Sequence, residues 1–144
     1  MSLRKTLDEA LDRATSGDKG AIEVSTPDGR QASVDVVDVD RLGVRVRSVK
    51  VRRADDAPIK ELAAELPTRL RSLPDRVVPV EVDSALGGGI FRTPVQSHDQ
   101  DYFQVDVRGR DSEVRRYTVK EGEREEADFT LTRDGLGRLL DDLS

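Results

Sequence analysis

Cysteine and tryptophan are absent from this 144-residue chain, and histidine and methionine occur once each. Without a thiol there is no disulfide, no thiolate zinc site and no cysteine nucleophile. One histidine cannot build a nitrogen-rich metal site, so neither a metal nor another cofactor is expected. Two Tyr and three Phe are the only aromatics, so the core must come from Val, Leu and Ala. No apolar run approaches the ~20 residues that cross a bilayer. The opening residues, Met1 to Glu9, lack the apolar centre of a signal peptide. No membrane contact is expected, and the cytoplasm is the expected compartment for a chain free of cysteine.

Acidic residues outnumber basic ones 29 to 24, for a net charge of −5. That balance favours solubility and opposes an overall attraction to nucleic acid or anionic lipid. The length fits a single domain, residues 1–144, able to bury roughly 68–70% of its unfolded surface without staples. If a seam exists, it falls near residues 55–75.

Leu3, Leu7, Ala10, Leu11 and Ala14 recur at helical spacing, which predicts a helix over 3–16 with a stop at Gly17. The period then changes to two. Ile22 and Val24, then Ala32, Val34 and Val36, then Val44 and Val46 alternate with polar residues around turn residues Pro27-Asp28-Gly29 and a connection at 38–43. This is a three-stranded antiparallel meander. Val44 and Val46 are even, Val49 and Val51 odd. One register cannot bury both pairs, so a bulge is expected near Arg47-Ser48.

Asp55 or Asp56 is available to cap a central helix with Pro58 in its first turn, carrying Ile59, Leu62, Ala63 and Leu66 on one face. Pro67 should break or kink it, since an interior proline costs ~3 kcal/mol. Strands follow at Val78 to Val82, Ile90 to Val95, Tyr102 to Arg108 and Val114 to Lys120, with a hairpin turn at Gly109-Arg110-Asp111-Ser112. Residues 121–126 read as a charged loop before Phe129 and Leu131. Leu136, Leu139, Leu140 and Leu143 close the chain as a helix, with Thr132 or Asp134 near its start. The expected fold is α+β: one antiparallel sheet of about six to eight strands, with N-terminal, central broken and C-terminal amphipathic helices mainly on one face.

Few features point to chemistry. Residues 41–76 hold ten basic and five acidic side chains, and Arg45, Arg47, Arg52 and Arg53 are the candidate binding residues. A cationic strand can hold phosphates or an acidic surface. The plainer reading is a charge ladder against Asp35, Asp38 and other acids. Gly87-Gly88-Gly89 lacks the following helix and Lys-Ser/Thr of a phosphate loop, so it reads as a flexible connection. His98 lies in a polar stretch with Asp99 and Asp101 and is the one candidate general base or cation ligand. Glu81 and Asp83 share a strand face. No serine sits in a nucleophile elbow, and no catalytic residue is assigned.

In size, acidity and its helix–three strands–helix opening, the chain resembles the acidic secretion chaperones. That resemblance implies a homodimer holding a segment of another protein; the strand-rich second half departs from it, and no residue carries over. The leading expectation is a non-catalytic protein-binding or adaptor module, with an unidentified protein partner and a homodimeric state. The first alternative is nucleic-acid or anion binding along 41–53, although nucleic acid fits poorly with the net charge. The second is an enzyme using His98 and nearby carboxylates.

Overall fold

Helical spacing at the start of the chain produces α1 (Leu3–Arg13), whose Leu3, Leu7 and Leu11 are buried. Ser2 opens it: its Oγ accepts from Lys5 N at 3.2 Å, satisfying one of the orphan donors of a first turn. The structure, a computed structural model, describes residues 2–13, 20–94 and 101–144. The expected stop at Gly17 and the stretch around His98 lie outside the described residues.

The meander forms as β1 (Gly20–Ser25), β2 (Gln31–Val39) and β3 (Gly43–Arg52). Ser48 faces Asp35 and Val46 faces Val36, so Arg47 is passed over; Asp38 faces Arg45, so Val37 is passed over in turn. These two bulges reconcile the change of parity, and Val44, Val46, Val49 and Val51 are all buried.

The central helix α2 (Ile59–Arg69) buries Ile59, Leu62 and Leu66 and contains Pro67 without breaking. The expected interruption is therefore corrected. Pro67 lies in the last turn, where few bonds remain to be lost, and Leu70 N still donates to Leu66 O at 2.9 Å. Buried Leu62, Leu66 and Leu70 share the face that repays the proline. Nor does an aspartate cap the helix: Pro58 is the N-cap residue, with no side-chain hydrogen bond.

Six further strands follow: β4 (Val78–Asp83), β5 (Gly88–Arg92), β6 (Asp101–Arg108), β7 (Asp111–Lys120), β8 (Glu123–Ala127) and β9 (Phe129–Thr132). Helix α3 (Arg133–Leu143) ends the fold, with Thr132 Oγ1 accepting from Gly135 N at 2.9 Å. Among the described residues, nine strands form one antiparallel sheet in the order β1-β2-β3-β7-β6-β5-β4, with β8 beside β7 and β9 beside β3. This is one strand beyond the upper count expected from periodicity, and β8 forms where the sequence predicts a charged loop. Strands β3 and β7 pair only between 48–52 and 111–115. Past the Arg47 bulge they part, and residues 123–132 fill the gap, pairing with β7 as far as Ala127 and with β3 from Phe129. Unpaired backbone groups on both strands demand that filling, and β9 adds the buried ring of Phe129.

One row crosses the sheet through Ile22, Val34, Val49, Val114, Val105, Phe91 and Pro79, each opposite the next. Its central members join the helix leucines in a single core. Helices α1 and α3 cover β1, β2, β3 and β9, while α2 covers β4 and β5. Each large apolar side chain so buried contributes about 1.5–3 kcal/mol relative to exposure. The leucine stripes of α1 and α3 are consumed inside the chain, because these helices pack on each other. Gly88 and Gly89 belong to β5 instead of a loose connection. A Cβ on Gly89 would lie 3.3 Å from Ile59 Cδ1 and 2.9 Å from the Glu81 carbonyl, so glycine lets α2 seat on the sheet. Among the described residues, no helix is long and apolar enough to cross a membrane.

Candidate functional site

The four candidate arginines do not form one site. Arg45, Arg47 and Arg52 lie on the face without helices, whereas Arg53, two residues beyond Val51, turns to the helix side. Asp128 stands where the chain crosses from β8 to β9. Its carboxylate is 3.3 Å from Arg45 Nη2 and 3.7 Å from Arg47 Nε, and its carbonyl accepts from Arg116 Nη1 at 3.2 Å. The two arginines thus brace the point where β3 and β7 part. Arg52 Nε is 3.9 Å from Asp111, and Lys50 Nζ is 3.9 Å from Glu113. Acids for this ladder come mainly from β7 and the 128 crossing; Asp35 faces Ser48 instead.

Arg53 is a structural bolt. It is 6% exposed; Nη1 donates to Ser112 Oγ at 3.4 Å, Nη2 to the Gly109 carbonyl, and its backbone N to the Arg110 carbonyl at 2.9 Å. Its Nε is buried without a partner among the described residues. Burial pushes the guanidinium down from its ordinary value, while Asp56 and Asp111 hold it up. Arg53 therefore does not belong to an exposed charge ladder, and reversing its charge would place a carboxylate against the Gly109 carbonyl.

The open face carries a groove of about 800 Å³ between β1 and β6, lined by Glu23, Lys50, Arg52, Asp106, Arg108 and Glu113 among others. Opposite charges alternate across it, so it presents no single sign to a ligand.

Farther along the same face lies a cluster that the sequence reading missed. Tyr102 on β6 faces Tyr117 on β7, with ring centroids 5.5 Å apart. Arg92 stands 5.3 Å from the Tyr102 centroid, and Arg124 stands 4.4 Å from that of Tyr117. Both guanidinium groups donate to Gln104 Oε1, Arg92 Nε at 2.7 Å and Arg124 Nη1 at 3.3 Å. Arg124 Nη1 also reaches Tyr102 Oη at 3.3 Å, which holds Arg124 above its ordinary value. Burial pushes Tyr117 up, against the pull of Arg124. The signal was present: Arg108 faces Asp111 across the Gly109-Arg110 turn, and counting back from there pairs Tyr102 with Tyr117.

The third feature is the sheet edge at β4. Val78, Val80 and Val82 are 46%, 53% and 40% exposed, and Leu86 in the following turn 68%. The register slips between Pro79 and Glu81, leaving Val80 bulged. Asp83 Oδ1 accepts from Ala85 N and Leu86 N at 3.0 and 3.2 Å, closing that turn.

Among the described residues, no group of three His, Asp or Glu side chains is placed to hold a metal ion. Compared with known proteins, the chain matches no family model, no curated protein and no solved structure.

Proposed function

We propose that the protein is a non-catalytic binding module that accepts an extended segment of a partner protein along β4. The observation that carries this reading is the run of exposed valines on the outermost strand of the sheet. An edge strand offers unpaired N–H and C=O groups, and adding a strand satisfies them while covering apolar side chains. Covering apolar surface is favourable by about 25 cal/mol per Å². Pro79 and the bulge at Val80 are devices that keep an edge from pairing indiscriminately. They restrict the partner to a segment whose donors and side chains match. Acids flank the cations of the 41–53 strand, which leaves nucleic-acid binding with less support. The compartment proposed is the cytoplasm, consistent with a cysteine-free chain.

A blocked peptide of alternating valine and threonine tests the reading by amide hydrogen exchange. The expected result is slower exchange on β4 and no change on β1, the opposite edge. Equal protection of both edges, or none on β4, overturns it. Sedimentation equilibrium covers the homodimeric variant: self-association abolished by Val80→Lys makes a second copy the occupant.

A further inference from the structure

We propose that Arg92 and Arg124 form a clamp for a phosphate monoester dianion on the open face of the sheet, independent of docking at β4. The cations along β3 and β7 on this face are already matched: Arg45, Arg47, Lys50, Arg52 and Arg115 each have a carboxylate within 4 Å. Arg92 and Arg124 have none among the described residues. They converge instead on one neutral oxygen, Gln104 Oε1, and like charges brought together call for a counter-charge.

Their positions are built from below. Gln104 is 3% exposed, and its Nε2 donates to both Asp106 oxygens at 3.1 Å. With the amide nitrogen committed to Asp106, the carbonyl must face the arginines. The paired tyrosine rings give both guanidinium groups a cation–π floor. Among the described residues, Gln104 Oε1 accepts from Arg92 Nε and Arg124 Nη1 alone. Arg92 Nη1 and Nη2, with Arg124 Nε and Nη2, have no partner among the described residues. Those donors suit an oxyanion, because guanidinium recognises phosphate through paired N–H groups. Two positive charges match a dianion better than a carboxylate. The charged groups around the clamp are Asp106 on β6, Arg115 on β7 and Glu126 on β8; Glu126 is held by Arg115, and Asp106 by Gln104.

Phenyl phosphate and inorganic phosphate are the probes, titrated at constant ionic strength and followed by the arginine Nε–Hε resonances and by calorimetry. Both should bind, with shifts largest at Arg92 and Arg124. Benzoate, a monoanion of similar shape, should bind at least about tenfold more weakly. Because the second pKa of a phosphate monoester is about 6, the affinity for phenyl phosphate should rise between pH 5 and 7 as the ligand becomes a dianion. Arg124→Met keeps the apolar stem over Tyr117 and removes the charge. It should weaken phosphate binding about tenfold, the range expected for losing a charge-assisted contact, and Arg124→Lys should recover part of it. Stronger binding by phenyl phosphate than by the inorganic ion places the ligand on an aromatic ester; equal binding places it on the phosphoryl group alone, and both support the clamp. Equal binding of benzoate, a pH-independent affinity, shifts centred on Arg108, or an unchanged affinity in Arg124→Met would each overturn it.

Discussion

The two ends of the sheet receive the same sequence pattern and treat it oppositely. Ile22 and Val24 on β1 alternate with polar residues and turn toward α1, where Val24 is buried and Ile22 packs on the core. Val78, Val80 and Val82 on β4 alternate just as regularly, yet all three remain exposed. Here the core positions are taken by Val77 and Phe91, both fully buried, and the bulge at Val80 prevents one face from collecting all three valines. Alternation reports that a strand has two faces. Which face is covered is decided by the neighbouring helix and the local register, neither of which belongs to the strand itself.

The sharpest way to break this contrast is to truncate one apolar residue on each side of the β4–β5 pair. Phe91→Ala removes a fully buried ring and should cost about 3–5 kcal/mol. Val80→Ala should fall within about 0.5 kcal/mol of wild type. Urea unfolding measures both. A Val80→Ala loss approaching the core value would mean that this edge is covered within the protein.

A smaller effect separates two adjacent arginines at the end of β3. Arg53→Ala leaves the buried Ser112 hydroxyl and the half-buried Gly109 carbonyl without their guanidinium partner, for about 1–3 kcal/mol. Arg52→Ala loses only an exposed pair with Asp111 and should change stability by less than about 1 kcal/mol. Equal midpoints for the two variants would reject the bolt assigned to Arg53.

Neighbouring residues with such different roles also show where the sequence was legible. The bulge at Arg47 could be read because four valines change parity around it. The hairpin at Gly109-Arg110 could be read from its turn chemistry, and the two terminal helices from leucine spacing. Strand β8 could not be read, because Glu123–Ala127 has almost no apolar side chain and is ordered by the gap between β3 and β7. The broken helix was a misreading of position: a proline in the last turn costs less than one at the centre. For the candidate site, charge alone selected Arg45, Arg47, Arg52 and Arg53. It could not separate cations that already have acids from Arg92 and Arg124, since that difference depends on register across several strands.

The smallest expected effect lies at the β1–β2 turn, the covered end of the comparison. Asp28 accepts from Thr26 Oγ1 and from Arg30 Nε at 3.0 Å. The Thr26 hydrogen bond, then Arg30, lowers its carboxyl to about 2 from an ordinary 3.8. A carboxyl depressed in the folded state adds stability above its unfolded pKa, and this contribution disappears as pH falls from about 4 toward 2. Its side chain is 58% exposed, so solvent screening keeps the contribution small, and a titration reads it better than an unfolding midpoint. Carboxyl chemical shifts followed from pH 5 downward should place Asp28 near 2. Thr26→Val should raise that midpoint toward 3.8, since it removes the largest cause. Added salt should raise it less, because salt screens the charge of Arg30 without removing the hydroxyl donor. If salt moves the midpoint more than Thr26→Val does, Arg30 rather than Thr26 holds the turn.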